Sequence, residues 1–311
     1  MQVAGVDESD VVKTSGNVMV SVINGEVRIT RLDGADTKKL ADWRPTGGSA
    51  QSVLLDRNLA VVIGDSGGIP LGASKLRAPD GIYEAVTELT VLDLTDPAAP
   101  RPLRRLELSG TRAGDVRLVD GELRLALNSG PSGIAWKQPV YPKSPNQDPK
   151  KAQAEFRKLE KDTLKANKKL IAESTIDNWI PQATVTDLNA DGTAQAGPVT
   201  RSLIDCPKVA IPGSFSGLST LSLISADLRT ETPLSGWRSA GVIADAARCT
   251  PPPSTSGWPR PGGTLCLRPR PSTPSPASSR RSLPTPRSTG STPGSVRTRN
   301  ILPPARLPVR C

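Results

Sequence analysis

The sequence of 311 residues carries 40 Lys and Arg against 30 Asp and Glu, a net charge of +10, and contains no histidine. Because histidine is the commonest general base and a frequent metal ligand, its absence removes Ser-His and Cys-His nucleophile pairs and most mixed zinc sites. The longest apolar run, residues 59–63, is far shorter than the roughly 18 residues of a membrane-spanning helix. The N-terminus also lacks the basic and apolar regions of a signal peptide.

Two β-hairpins are predicted by dipeptides that favour tight turns. Strands over residues 17–23 and 26–32 flank Asn24-Gly25, and strands over 115–119 and 122–128 flank Asp120-Gly121. Asn or Asp followed by Gly tolerates the two positive φ angles of a type I′ turn. The second hairpin also alternates apolar and polar residues, as a half-buried strand does.

Further short strands are predicted by apolar runs along the chain. They cover residues 52–55, 59–63, 87–93, 184–186 and 218–228. Many short antiparallel strands predict an all-β fold, and the pattern alone leaves a propeller, a sandwich and a barrel open.

One amphipathic helix is predicted within the β pattern, over about residues 148–172. Asp148 is its expected N-cap and Pro149 its first residue. Phe156, Leu159, Thr163, Ala166 and Leu170 recur every three or four residues. The basic residues are Lys150, Lys151, Arg157, Lys158, Lys161, Lys165, Lys168 and Lys169, against Glu155, Glu160 and Asp162. They either engage an acidic partner or form a solvated face, and we favour the solvated face because such faces are usual on surface helices.

The net charge comes from the C-terminal 64 residues. Residues 248–311 hold 11 Arg and no Lys, Asp or Glu, which leaves residues 1–247 with 29 basic against 30 acidic residues. The same segment holds 15 of the 31 Pro and three of the four Cys. That proline density is incompatible with regular helices and strands, so we predict a disordered, low-complexity Arg/Pro/Ser-rich tail.

Three origins compete for this tail: a basic disordered arm, a mucin-like linker, and translation of a GC-rich gene in the wrong frame. A back-translation of residues 248–259, read from the third base of its first codon, gives Val-Tyr-Ala-Ser-Pro-Glu-His-Leu-Trp-Val-Ala. This peptide has a turn followed by an apolar strand. We therefore favour a frameshift, although a true disordered arm has the same composition.

The opening string, Gln-Val-Ala-Gly-Val-Asp-Glu-Ser-Asp-Val-Val-Lys-Thr-Ser-Gly over residues 2–16, resembles the first motif of a secreted bacterial β-propeller-domain family distantly related to WD40 repeats. Three later segments agree: residues 88–97, residues 176–181, and Asp205-Cys206 leading to residues 215–223. The resemblance covers about residues 2–245. The out-of-frame peptide is similar to the segment that follows in such proteins.

The resemblance implies an exported propeller, at the cell surface or outside the cell. Family members carry a leader before the opening motif and extend well past residue 247, whereas Met1 directly precedes the motif here. We therefore expect residues 1–247 to form a partial β-propeller, an N- and C-truncated fragment with apolar sheet faces left uncovered.

A calcium loop is the candidate metal site. Asp187, Asn189 and Asp191 stand at positions 1, 3 and 5 and Gly192 at position 6, as in the first half of an EF-hand loop. Position 12 is Pro198, so the bidentate Glu is missing. We favour an ordinary polar β-turn over a calcium site.

Other strings offer weaker chemistry. Residues 64–68, Gly-Asp-Ser-Gly-Gly, match a serine-protease nucleophile string, but Ser66 has no histidine base and that activity is rejected. Asp7, Glu8 and Asp10 form an acidic cluster, interpreted as a surface turn rather than a cation site or a blade closure. Asp93 and Asp96 are predicted to end a strand. Cys206 is either a lone thiol or half of a disulfide, which an oxidising compartment permits.

The expected function is a non-enzymatic, exported β-propeller that binds or scaffolds a protein or cell-envelope ligand, with no catalytic residues and no cofactor other than possible calcium. The main alternative is binding of a polyanion or nucleic acid through the Arg-rich tail, weakening steeply with salt. A third is a hydrolase that uses carboxylates on the propeller axis.

Overall fold

The computed structural model describes residues 6–65, 85–139 and 148–245 and the backbone of two short strands beyond them. The strands in chain order are β1 (Val6–Glu8), β2 (Val12–Ser15), β3 (Val18–Ile23), β4 (Glu26–Arg31), β5 (Lys38–Trp43), β6 (Ser49–Asp56), β7 (Leu59–Asp65), β8 (Val86–Asp93), β9 (Arg101–Ser109), β10 (Thr111–Arg112), β11 (Arg117–Val119), β12 (Glu122–Ser129), β13 (Gln182–Asp187), β14 (Val199–Ser202), β15 (Val209–Ala210), β16 (Thr220–Asp227), β17 (Arg238–Ile243), β18 (Ala247–Arg248) and β19 (Leu265–Cys266). The helix α1 (Pro149–Glu173) lies between β12 and β13. The predicted all-β fold with one inserted helix is confirmed.

Three sheets contain almost all of these strands. The first sheet has the order β2-β3-β4-β5, and the central sheet has the order β14-β13-β9-β8-β7-β6. The third sheet has the order β1-β11-β12-β16-β17-β15, and β10 also pairs with β12. A four-stranded antiparallel meander is the blade of a propeller. The first sheet and strands β6 to β9 each form such a meander.

The two predicted hairpins are confirmed, and their turns have the expected backbone. Asn24 and Gly25 have φ angles of 53° and 81°, and Asp120 and Gly121 have φ angles of 51° and 82°. Two consecutive positive φ angles define the type I′ turn, which matches the twist of the strands on either side. The dipeptides therefore fixed both the turn type and the strand register.

The central sheet is covered on both faces. On one face, Val53 and Val62 pack with Val27 and Ile29 of the first sheet. The opposite face packs on the third sheet, and its core includes Leu89, Leu106, Leu125, Leu127 and Ile224. All eight residues of β8 are buried. Face-to-face packing of successive sheets is the arrangement of neighbouring propeller blades.

The segment before the first blade joins all three sheets, and we call residues 6–15 the N-terminal clasp. Its β1 pairs with β11 of the third sheet, and Asp10 forms a bridge with Val53 of the central sheet, in which the Val53 N–H donates to the Asp10 carbonyl at 2.8 Å. The clasp then continues as β2 into the first sheet. Ten residues therefore connect strands that are far apart in the sequence.

Helix α1 begins and ends within a residue of its prediction. The Asp148 carboxylate accepts the N–H of Lys150 at 2.9 Å, as an N-cap does. Near its C-terminus, Leu170 and Ile171 pack on a small core around Ile134 and Trp179. Among the described residues, no helix is both long and apolar enough to cross a membrane.

The predicted tail lies almost entirely outside the described residues. The exception is a two-residue antiparallel pair, in which β18 pairs with β19. The prediction of no strand in the tail is therefore wrong at Arg248, Leu265 and Cys266. A ladder of two residue pairs is too short to produce a recognisable strand pattern in the sequence.

Candidate functional site

A cleft of about 510 Å³ lies at one end of the third sheet, where the β11–β12 turn, the end of β16 and the start of β17 meet. Its lining is formed by Asp120, Glu122, Ser225, Asp227, Gly236, Trp237 and Arg238. This volume lies within the range of small-ligand sites, about 300–1,000 Å³. Three carboxylates, those of Asp120, Glu122 and Asp227, lie in this one lining, with the guanidinium of Arg238 beside them.

Glu122 is the centre of a hydrogen-bond network in this cleft. The Ser225 hydroxyl and the Arg238 guanidinium both donate to Oε1, and Arg124 donates to Oε2 through Nε at 2.9 Å and Nη2 at 2.6 Å. The hydrogen bonds from Ser225 and Arg124, with that from Arg238, hold the pKa of Glu122 at about 2. This carboxylate is therefore charged at any physiological pH.

The other two carboxylates are exposed beside Arg229, Asp120 on the β11–β12 turn and Asp227 at the end of β16. Asp227 accepts the backbone N–H of Arg229 at 2.7 Å, while the Arg229 guanidinium makes two hydrogen bonds of 2.9 Å to Asp56 of the central sheet. Gly121 has a φ of 82°, which strains any larger residue, and a Cβ there would also displace the Arg229 side chain. Arg229 thus holds the wall of the cleft against the central sheet and leaves Asp120 facing solvent.

A half-buried tryptophan closes the end of the cleft. The Trp237 indole N–H donates to the Leu203 carbonyl at 2.8 Å, and the Arg201 guanidinium lies 3.9 Å from the ring centroid. The cation–π contact and the hydrogen bond fix the ring in one orientation. The cleft therefore has a rigid wall, while its carboxylates remain accessible.

A second, smaller cleft of about 300 Å³ is lined by Asp65, Thr111, Arg112, Gly114 and Asp115. Gln51 donates to Asp65 and accepts from Arg112, so it connects the two charged groups. This cleft has two carboxylates and one guanidinium, and it offers a natural comparison for the larger one.

A polar cluster lies within the central sheet. Glu88 and Glu107 stand directly opposite each other on β8 and β9, and both are buried, as is Arg105. The Thr90 hydroxyl donates to Glu88 at 3.2 Å, and Glu88 Oε2 has no hydrogen-bond partner within the described residues. Burial raises the pKa of Glu88, with Arg105 and Thr90 acting in the opposite direction. No local sequence pattern predicts this cluster.

The predicted calcium residues lie at the end of β13 and in the turn after it, where Asp187 is paired away from the other two. Asp187 is paired with Arg104, with 2.5 Å between Nη2 and Oδ1, and the Asn189 amide donates to the Thr193 hydroxyl at 3.0 Å. Asp191 accepts from the N–H and hydroxyl of Thr193 at 2.9 and 2.6 Å. Among the described residues, no group of three or more His, Cys, Asp or Glu could hold a metal ion. Calcium binding by this loop stays a prediction.

The acidic cluster of the opening motif is divided among different partners. Asp7 pairs with Lys13 at 2.6 Å, and Glu8 pairs with Arg117 of the third sheet at 3.0 Å. Asp10 caps its own turn by accepting the Val11 N–H at 2.7 Å. The predicted surface turn is wrong for Asp7 and Glu8, because both lie in strand β1 of the N-terminal clasp.

Three other sequence candidates have simple outcomes. Asp93 and Asp96 do end a strand: Asp93 is the last residue of β8, and Asp96 accepts the N–H of Ala98 at 3.0 Å. Cys206 is disulfide-bonded rather than a lone thiol. Ser66 of the protease-like string lies outside the described residues.

Stacked sheets with antiparallel meander connections define a propeller-type fold. Consistent with this class, the family model described as beta propeller domain matches residues 1–245, and the chain belongs to that family. The matched range agrees with the range of the sequence resemblance. Nothing matches the chain among curated proteins or among solved structures.

Proposed function

We propose that the protein is a non-enzymatic, exported binding module, and that the acidic cleft of the third sheet holds a basic segment of a protein partner. The observation that carries the proposal is the exposure of Asp120, on the β11–β12 turn, and of Asp227, at the end of β16, at the rim of a rigid sheet end. Ammonium and guanidinium groups are the ligand groups that carboxylates at such a rim attract.

The chemistry of the cleft supports a binding role without catalysis. A general acid or base works best with a pKa near the working pH. Glu122, with a pKa of about 2, is a weak base and has no proton to donate near neutral pH. The chain also has no histidine to take that role.

Export is supported by two separate features. The opening motif resembles that of an exported family, and Cys206 is disulfide-bonded. Disulfides persist in oxidising compartments and are rare in the cytosol. Alkylation of protein taken directly from its native cells is the corresponding test: Cys206 should react with the alkylating reagent only after reduction.

The binding test is a calorimetric titration with a blocked tri-lysine peptide at low ionic strength. We expect Asp120→Asn with Asp227→Asn to weaken binding by about fivefold or more, since two charges are removed from the contact surface. The peptide should also be recovered chemically unchanged after long incubation, as a protein without catalytic activity requires.

The matched control is Asp65→Asn with Asp115→Asn in the smaller cleft. It removes the same charge from a second acidic cleft and should leave the peptide affinity within about twofold of wild type. Equal weakening by both double variants means that the peptide responds to net charge alone. That result, or no binding of the peptide by wild type, overturns the proposal.

A further inference from the structure

Helix α1 carries a stripe of positive charge that the cleft does not use. At 100° per residue, its eight basic residues all lie within an arc of about 120°. All eight are exposed, and the row from Lys150 to Lys169 is about 28 Å long at 1.5 Å per residue. Of the eight, only Lys169 has an ion pair within the described residues, with Glu173 at 3.6 Å.

The docking of the helix turns this stripe away from the protein. Leu170 packs on the core around Trp179, and the Asn167 side chain bonds both the N–H and the carbonyl of Lys137, at 2.8 and 2.9 Å. Both residues lie on the side of α1 opposite the basic arc, by the same 100° spacing. The rest of the chain therefore holds the helix by one side and presents the cations on the other.

We propose that this basic stripe binds a linear phosphodiester polymer without bases. The stripe is a narrow row of closely spaced cations, which matches a single anionic chain lying along the helix. The other residues within the arc are Ala154 and Ala172, so the stripe has no aromatic side chain on which a base could stack. Phosphate contacts of this kind supply affinity that does not depend on sequence.

A lipid surface fits the helix less well. Interfacial helices bury their apolar face among the acyl chains. Here Leu170 and Ile171, on the apolar side of α1, are already packed on the protein. Leu164 is the one large apolar side chain of the helix that is exposed.

The experiment measures binding of the full chain to fluorescently labelled poly(glycerol phosphate) by anisotropy at several salt concentrations. The helix variant replaces Lys158, Lys161, Lys165 and Lys168 with Gln. It should lose at least about tenfold in affinity, and its slope of log K against log salt should be shallower by about 3. The circular dichroism of the variant should equal that of wild type, since Gln and Lys have similar helix propensities.

Two control variants each remove four positive charges, as the helix variant does, but from other parts of the chain. The first replaces the exposed residues Arg31, Lys38, Arg44 and Lys208 with Gln, and should change the affinity by less than about threefold. The second replaces Arg280, Arg281, Arg287 and Arg297 with Gln, and it tests the C-terminal tail as the binding segment.

The remaining measurements test whether the wild-type protein binds other anions, namely an oligonucleotide and anionic lipid vesicles. A single-stranded oligonucleotide with the same number of phosphates should bind no more tightly than the polymer. The proposal is overturned if the oligonucleotide binds more tightly, if only anionic lipid vesicles bind, or if either control variant loses as much affinity as the helix variant.

Discussion

The central and third sheets differ in where their charged residues lie, on a buried face in one and on a solvent-facing face in the other. In the central sheet, Glu88, Arg105 and Glu107 lie on a face that is buried, and Glu88 has its pKa raised. In the third sheet, Glu122 and Arg238 lie on the outer face at an open cleft, and the pKa of Glu122 is about 2. In both sheets, the charged residues alternate along their strands with residues that face the opposite side of the sheet. What differs is whether a second layer covers the face.

This difference separates charges that lower stability from charges that can bind a ligand. A buried carboxyl group loses its hydration, so its charged form is disfavoured. A carboxylate at a sheet end keeps its hydration and is stabilised further by arginines that are themselves exposed. The third sheet is therefore the better place for a binding site, although the central sheet holds more buried charge.

The largest expected effect compares two leucines in the two sheets. Leu89 of the central sheet is 1% exposed, and Leu223 of the third sheet is 55% exposed. Leu89→Ala should lower the free energy of unfolding by about 2–5 kcal/mol, because it leaves a cavity in the core. Leu223→Ala should change it by less than about 0.5 kcal/mol. Urea unfolding measures both, and an equal loss would mean that the outer face of the third sheet is covered in solution.

A second pair compares carboxylates with similar pKa values. Burial tends to raise the pKa of Asp93, but hydrogen bonds from Thr95 and Arg101 outweigh it and lower that pKa to about 2. Asp93→Asn should cost about 1–3 kcal/mol at pH 7, since a buried charge-assisted network is broken. Glu122→Gln should cost less, because Glu122 is only half-buried and its arginine partners, Arg124 and Arg238, are exposed. Thermal unfolding of both variants at one protein concentration makes the comparison.

The contribution of Asp93 to the free energy of unfolding should depend on pH. The stabilisation from a lowered pKa is complete above the ordinary value of 3.8 and is lost as the pH falls toward about 2. Wild type should therefore lose more stability than Asp93→Asn between pH 4 and pH 2. Parallel curves for the two proteins would show that Asp93 is not specially stabilised.

Glu88 should show the opposite sign. Because its folded pKa is raised, its contribution is complete below the ordinary value of 4.5 and declines as the pH rises through the folded pKa. Glu88→Gln should therefore stabilise the protein by about 1 kcal/mol at pH 7 and have little effect at pH 4. Melting temperatures at the two pH values provide the measurement. Destabilisation at pH 7 would identify the Glu88 charge as a required partner of Arg105.

Calcium should have the smallest effect. An ion in the predicted loop would have to displace Arg104 from Asp187. We expect millimolar calcium to raise the melting temperature only slightly, and Asp191→Ala to abolish that rise. A calcium stabilisation that survives in Asp191→Ala excludes this loop as the site.

Local chemistry made part of this fold predictable. Asn24-Gly25 and Asp120-Gly121 specify their hairpins with no help from the rest of the chain, and Asp148-Pro149 marks the start of α1. Strand β9 was missed, because Arg-Pro-Leu-Arg-Arg-Leu-Glu-Leu-Ser reads as a charged segment although most of its residues are buried. Its strand state depends on pairing with β8 and β13, which no local pattern shows.

Only one part of the acidic cleft, the turn at Asp120, could be predicted from the sequence. The turn at Asp120 was identified, but Ser225 and Arg238 meet Glu122 through the register of β12, β16 and β17, more than 100 residues along the chain. Alternation tells which residues share a face of one strand, but it does not tell which strands are neighbours. The buried pair Glu88 and Glu107 was missed for the same reason.

The N-terminal clasp has a consequence for the timing of synthesis. Strand β1 leaves the ribosome well before its partner β11, which begins at Arg117, more than 100 residues later. At about 5–20 residues per second, β1 waits roughly ten seconds before its ladder partner exists. During that interval its backbone groups are open to other chains, as those of any unpaired strand are. Strand β1 is thus made long before it can be paired, so crowding of nascent chains should reduce the folded yield more than it reduces the stability of the finished protein.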